Sequence, residues 1–386
     1  MKKPLPGNVG KPIRLSKSSI SILEKRNVIK VLSKEFLGMG QEVQLFEKNL
    51  IKFFKNKKRK VVAVSSGTAA LQLALQSLSL KDNDEVLVPS LTYLSSFQAI
   101  SANRLKPVPC DVNEKTMTID IADLKKKINS KTKVIMPVHY AGGVGNLNEV
   151  YAIAKKKSLR IVEDAAHAFG TIYNKKLIGS FGDIVCFSFD GIKNITAGEG
   201  GCVVTQDKKV IQKIQDLRLL GIHKDTEKRY SKSRSWDFNV TDQGWRYHMS
   251  NIMAAIGNIQ LKRFKFLSNK RKSLAKKYDK NLINHEQIKI IKHNYSHVVP
   301  HIYPVRILGL KDRIGLIKFF KNRNIEVGFH YKPNHLLDFY KKNKIYLPNT
   351  EKIFPQLLTL PLHPDLSFND VERISDILKK NIKKFL

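Results

Sequence analysis

The chain has 386 residues, with 69 Lys+Arg against 33 Asp+Glu and a formal net charge of +36. Its content of 42% hydrophobic and 26% charged residues is globular, and the length allows more than one domain, so wholesale disorder is excluded. Cys110, Cys186 and Cys202 form no CxxC pair, and no apolar run approaches the ~18 residues of a membrane span, which excludes a zinc ribbon, a disulfide scaffold and membrane insertion.

The start, MKKPLPGNVGKPIRL, is basic but lacks the apolar stretch of a signal peptide, so a soluble protein of a reducing cytoplasm is expected. Of the basic residues, 54 are Lys and 15 are Arg. Nucleic-acid readers lean on Arg forks and interleaved aromatics. Here the excess is Lys, scattered along helix-like faces at 125–127, 155–157 and 276–280. No nucleic-acid partner is expected, and no metal.

From about residue 60 to 205 one pattern recurs: a β-branched run, a turn, then a helical stretch. Runs at 60–64 and 85–88 lead into helical stretches at 67–79 and 92–103. The run 133–138 precedes an amphipathic 146–157, then 160–163 follows, with 184–189 and 201–205 close behind. This alternation predicts an α/β fold with right-handed crossovers and a mostly parallel central sheet, whose ligand lies beyond the carboxyl ends of its strands. A long helix from 249 to about 280 leads to a smaller α+β part with strands at 301–307 and 325–329 and helices at 313–322 and 369–385. The predicted division is 1–250 for an N-terminal arm and large domain, 251–280 for a connecting helix, and 281–386 for the small domain.

Three strand ends carry candidate chemistry. The first runs into Ser66-Gly67-Thr68, where helix amides and two hydroxyls offer an anion cradle, although Ser66 or Thr68 serving only as a helix N-cap accounts for the same residues. The second ends in Glu163-Asp164-Ala165-Ala166-His167: a carboxylate at the ligand edge, small residues that leave room for a flat ligand, and a nearby donor. The third passes through Ser188 to Lys193 and the return Gly198-Glu199-Gly200-Gly201. Hydrophobic sequence on both sides of Lys193 predicts a partly desolvated lysine, which favours the neutral amine needed for Schiff-base chemistry. An anion cradle, an acid for a pyridinium nitrogen and an imine-forming lysine together suit pyridoxal 5′-phosphate (PLP).

In these motifs the sequence resembles the DegT/StrS family of PLP-dependent nucleotide-sugar aminotransferases, of PLP fold type I. The resemblance runs from Gly38-Met39-Gly40 with Phe46-Glu47 to Leu360-Pro361-Leu362-His363-Pro364, and includes Pro89-Ser90-Leu91-Thr92-Tyr93, Ala254-Ala255-Ile256-Gly257 and His330-Tyr331. It implies Lys193 as the Schiff-base lysine and later proton carrier, Asp164 facing the pyridine nitrogen and His167 meeting the phenolic oxygen. It further implies Ser66, Gly67, Thr68 and Ser188 as phosphate ligands and Tyr93 as the aromatic stacked on the ring. His330 and Tyr331, with Lys332 and His335 nearby, are candidates to face the sugar-nucleotide. The family shares each active site across a homodimer, which places Arg246, within the segment 244–251, in the partner's site. Asp190-Gly191 and Arg246 depart from the commoner family pattern.

The implied activity moves an amino group, from L-glutamate, to a keto carbon of a nucleotide-diphosphate sugar, for surface-glycan or related amino-sugar biosynthesis. Relatives with His in place of the lysine act as dehydratases, so Lys193 favours transamination. The alternatives are another PLP enzyme on the same scaffold, a sugar dehydratase or cyclic-ketone transaminase, and a basic polyanion-binding protein.

Overall fold

The computed structural model describes residues 12–233, 236–240, 242–341 and 345–386, and the basic start of the chain, residues 1–11, lies outside these. Two helices come first, α1 (Ile22–Leu32) and α2 (Gln41–Phe54). A capping box of Ser21 and Glu24 starts α1 by satisfying amides that the first turn leaves free. Along α2, Val43, Phe46, Leu50 and Phe54 recur at helical spacing and are buried together.

Strands and helices then alternate: β1 (Lys60–Val64), α3 (Gly67–Gln76), β2 (Glu85–Pro89), α4 (Leu94–Ser101), β3 (Lys106–Cys110), α5 (Ile121–Lys127), β4 (Thr132–Ile135), α6 (Leu147–Lys156) and β5 (Arg160–Asp164). A small hairpin, β6 (Ile172–Tyr173) with β7 (Lys176–Leu177), precedes β8 (Ile184–Ser188), β9 (Gly201–Thr205), α7 (Lys208–Leu217) and α8 (Asp225–Tyr230). The seven-stranded sheet has the order β1-β9-β8-β5-β4-β2-β3, and β9 alone runs antiparallel to its neighbours. Helices cover both faces, so β2, β8 and β9 are buried along their whole length and read as apolar runs without alternation.

The sequence pattern predicts no strand at β3, because Pro107 and Pro109 remove ladder donors. The strand survives because it lies at the sheet edge, where such donors are dispensable. A buried ion pair ties the layers together. Arg218, just after α7, donates to Glu47 of α2 (2.7 Å) and to the Ala63 carbonyl of β1 (2.6 Å), while the Tyr230 hydroxyl donates to the other Glu47 oxygen (2.6 Å). That network holds the strand from which Ser66 emerges.

The 32-residue helix α9 (Asn251–Leu282) packs its first half against α1 and α2. Its second half, through Leu274, Ala275, Tyr278 and Leu282, joins a separate core. There an antiparallel sheet of β10 (Ile288–Ile290), β11 (Tyr303–Ile307) and β12 (Leu357–Leu360) carries α10 (Arg313–Lys321), α11 (Pro348–Ile353) and α12 (Phe368–Asn381). The stretch 325–329, expected as a strand, is not one: it makes only isolated bridges, Ile325 to Ile13 and Gly328 to Thr359. After Gly328 has exchanged its backbone hydrogen bonds with Thr359 at the edge of β12, the chain leaves that sheet and carries His330 and Tyr331 towards the large one. Among the described residues no helix is long and apolar enough to cross a membrane.

Candidate active site

Beyond the carboxyl ends of β1, β5 and β8 lies a cavity of ≈ 350 Å³. This is where an open parallel sheet leaves room between its crossovers. Ser66, Gly67, Thr68, Tyr93, Asp164, His167, Ser188, Lys193, His330 and Tyr331 all line it, so segments far apart in the chain converge on one space.

At one end, Ser66 is the N-cap of α3: its Oγ accepts from the Ala69 amide (3.0 Å). The capping role and the cradle are compatible, since the hydroxyl keeps its own proton to donate. Gly67 packs against Ser188 so closely that an added Cβ would meet the Ser188 Cβ at 2.7 Å. Gly201 is as tight, with a Cβ there meeting the Ser66 carbonyl at 2.4 Å. The glycines therefore let the start of α3, Ser188 and β9 pack together more closely than any side chain would allow.

Asp164 ends β5 and is buried. Its Oδ2 accepts from Ser96 Oγ (2.7 Å) and its Oδ1 from the Ala166 amide (3.2 Å). Ser96 is in turn 3.0 Å from Thr92 Oγ1. This chain fixes the carboxylate in one orientation. Ser96 was not singled out from the sequence, although the Thr92–Ser96 spacing of one helical turn was a usable signal.

Behind Asp164, the adjacent Glu163 points the other way and accepts from the Tyr151 hydroxyl (2.5 Å), and it lies 2.7 Å from His139 Nε2. Successive residues of a strand face opposite sides, which gives the two neighbouring acids different surroundings.

His167 is buried, and its Nδ1 accepts from the Ala141 amide at 3.3 Å. An amide can only donate, so Nε2 carries the ring proton and lies 3.0 Å from the Tyr331 hydroxyl oxygen. Burial first, then the Lys193 and His330 charges, hold the His167 pKa well below the ordinary value. Tyr331 also tilts over Tyr93, with ring centroids 5.5 Å apart. His330 is held by Thr359 Oγ1 at Nδ1 (2.9 Å), and its carbonyl accepts from the Tyr140 hydroxyl.

Lys193 is half-buried, on the loop after β8. Burial lowers its pKa to about 8; Asp190 and Asp164 oppose the shift and Arg271 adds to it. A free amine is therefore accessible near neutral pH. His301 Nε2 lies 3.3 Å from Nζ, yet His301 is 108 residues away in the chain and carries no sequence signal that links it to Lys193.

One substrate candidate lies elsewhere, and the residue expected to serve a partner's site lies outside this cavity. His335 is buried against Ser90 Oγ (2.6 Å) and Glu351 (3.3 Å), so it braces the loop and does not line the cavity. Arg246 is exposed and outside this cavity, on a segment that bridges to Leu219 and, through His248, to Val64.

The fold and this site define a PLP fold-type I architecture, a mostly parallel seven-stranded sheet with a lysine-bearing loop after a buried strand. The sequence model of the DegT/DnrJ/EryC1/StrS aminotransferase family matches residues 19–379, and the chain belongs to that family. It is 33% identical over 372 residues to the spore coat polysaccharide biosynthesis protein SpsC of Bacillus subtilis, covering 93% of this chain and 94% of SpsC. Spr1654 of Streptococcus pneumoniae, solved in its PLP form, superposes with a TM-score of 0.89 at 30% identity, covering 97% of this chain and 100% of that one. Helicobacter pylori PseC, an aminotransferase involved in the biosynthesis of pseudoaminic acid, gives 0.88 at 26% identity, covering 97% and 100%.

Proposed function

We propose that this protein is a PLP-dependent aminotransferase that moves an amino group from L-glutamate to a keto carbon of a nucleotide-diphosphate sugar, in surface-glycan or related amino-sugar biosynthesis. One observation carries the proposal: an amine with a lowered pKa, an oriented carboxylate and a glycine-lined anion cradle share a single cavity. When bound there, PLP supplies an electron sink and stores the amino group between two half-reactions.

The residues divide that work. The amides at the start of α3, with the hydroxyls of Ser66, Thr68 and Ser188, would hold the phosphate, helped by the positive end of the helix. Asp164 would hold a proton on the ring nitrogen, and its two hydrogen bonds fix the carboxylate for that task. The Tyr93 ring, in the cavity wall, would cover one face of the cofactor. His167 and Tyr331 form one hydrogen-bonded unit that would meet the phenolic oxygen. Lys193, as an amine of lowered pKa in the cavity wall, would be the residue that holds PLP covalently and carries the proton of the transfer.

Substrate contacts from His330 and Tyr331 fit their place at the cavity wall. Exposed Ile22 (56%), Leu23 (50%) and Ile29 (59%) on α1 support a homodimer. In that dimer Arg246, exposed and outside its own cavity, would reach the partner's phosphate site. The same reading keeps the division into a large part (1–250), a connecting helix (251–280) and a small part (281–386), and places the enzyme in the cytoplasm. The spore-coat polysaccharide role of SpsC and the pseudoaminic acid role of PseC support a sugar substrate. The net charge of +36 would attract a diphosphate, an effect that salt should weaken in association rate more than in turnover.

The test is a pair of half-reactions. PLP-loaded protein is mixed with L-glutamate while 2-oxoglutarate and the visible cofactor band are followed, and nucleotide keto-sugars are then added to restore the band. A protein that takes up no PLP, or releases no 2-oxoglutarate, would overturn the proposal. Dehydrated sugar in place of aminated product would move it to the dehydratase alternative.

Two further outcomes are expected. Capture of added PLP by the cofactor-free protein should quicken as pH rises through about 8, because Lys193 is an ammonium below that value and a nucleophile above it. A flat rate between pH about 6.5 and 9 would contradict the lowered amine pKa. Gly67→Ala should weaken PLP binding by about tenfold or more, because its Cβ must push Ser188, a second member of the cradle, out of place. Equilibrium dialysis measures this, and an unchanged affinity would move the phosphate site elsewhere.

A further inference from the structure

We propose that Arg271 is a positioning residue for Lys193: its guanidinium ties the lysine loop to the segment bearing His301, and so sets the ε-amine against the His301 ring and towards the cavity. The proposal rests on Lys193 being the amine that carries the cofactor.

Arg271 lies in α9 and is 1% exposed. Its Nη2 donates to the carbonyls of Ile192 (3.1 Å) and Lys193 (3.4 Å). Its Nη1 donates to those of His301 (2.9 Å) and Leu362 (3.0 Å). These acceptors belong to three separate segments: the lysine loop, the approach to β11 and the exit from β12. A planar fork with fixed donor directions can hold all three at once, which a lysine on a flexible stem cannot.

The arrangement is costly. Burial alone pulls the Arg271 pKa down to about 10, with no carboxylate acting on it, and its Nε has no partner. An unpaired buried cation is a poor device for cohesion, because an apolar side chain would serve that end without the desolvation penalty. What the guanidinium provides is register: with both carbonyls held, Lys193 Nζ and His301 Nε2 come to 3.3 Å.

The groups facing the amine are Asp190 on its own loop, Asp164 at the end of β5, His167 beyond it, His301 before β11, His330 on the strand-like approach from Gly328, and Arg271 itself. Only the two carboxylates favour the ammonium. Arg271 disfavours it by its charge and by holding the loop out of water.

The test titrates Lys193 without any cofactor. Competitive acetylation of the cofactor-free protein over pH ~6 to 10, read at the Lys193 peptide by mass spectrometry, reports the amine directly. Wild type is expected to titrate near 8. Arg271→Gln is expected to raise that midpoint by about one unit and to lower kcat of the glutamate half-reaction roughly 10- to 100-fold with KM little changed. Arg271→Lys keeps a charge without the fork, and is expected to hold the lower midpoint without recovering kcat. An acetylation profile and kcat unchanged in Arg271→Gln would overturn the proposal, as would full recovery of kcat in Arg271→Lys. If Arg271→Gln does not fold, the Arg271→Lys result decides. A raised midpoint in Arg271→Gln, found in a protein whose wild type takes up no PLP, would uphold the positioning and sink the proposed function.

Discussion

Lys193→Ala is expected to abolish the visible absorbance of PLP-loaded protein and to slow the glutamate half-reaction by roughly 10³-fold or more. Among the described residues lining the cavity, Lys193 is the one lysine, so no neighbouring amine can take over either the covalent attachment or the proton transfer. The lowered pKa sharpens the expectation, because the site already disfavours the ammonium that any substitute would bring. Folding should be preserved. Removing an amine that the fold holds against its preferred charge takes away a strain and breaks only the contact with His301. Circular dichroism and a thermal melt check that the variant is intact, and stopped-flow absorbance reads the half-reaction. A folded Lys193→Ala protein with the wild-type band and rate would place the chemistry on another group.

Asp164→Asn should have the next largest effect, a fall in kcat of about 10²- to 10³-fold, the cost of removing one preorganised charge from a site where charge develops. The amide is isosteric and its carbonyl oxygen can still accept from Ser96 Oγ, but its NH2 would meet the Ala166 amide, a second donor, so the variant removes the negative charge and one of the two hydrogen bonds. Without that charge the substituted side chain would no longer favour a protonated ring nitrogen, and the cofactor's capacity to draw electrons from the substrate would fall. PLP should still bind, because the phosphate cradle at Ser66 to Thr68 is separate from Asp164, and the visible band should shift but remain. Single-turnover kinetics with L-glutamate provide the measurement. A loss within about threefold would show that the carboxylate does not face the ring nitrogen.

The parts of the site that are legible in the sequence are those that local structure determines. A strand that ends in a turn places the next few residues at the sheet edge whatever the rest of the chain does. Ser66, Asp164, Ser188 and Lys193 therefore announced themselves, each within a few residues of a β-branched run. The edge strand β3 was not legible, because Pro107 and Pro109 argue against a strand unless its place in the sheet is known. At 325–329 the error ran the other way, since a β-branched stretch leading to Phe329 looks like a strand until its partners are counted.

Residues whose role depends on a distant partner carried the weakest signals. Ser96 looks like any hydroxyl in a helix until Asp164 is placed beside it. His335 looked as well suited to substrate as His330, and only packing separates them: one ring is enclosed by Ser90 and Glu351, the other lines the cavity.

By itself the sequence determined the α/β class and singled out the strand ends and the one lysine among 54 to which the proposed chemistry is assigned, because each follows from hydrophobic period and turn chemistry over a dozen or so residues. Only the tertiary structure decided the state of that lysine. Its lowered pKa comes from burial beneath the small sheet's loops, and its orientation from His301 and Arg271, which reach it across 108 and 78 residues of chain. Desolvation and hydrogen-bond geometry are properties of the packed assembly. Sequence spacing measures distance along the chain, and the amine responds to distance through space.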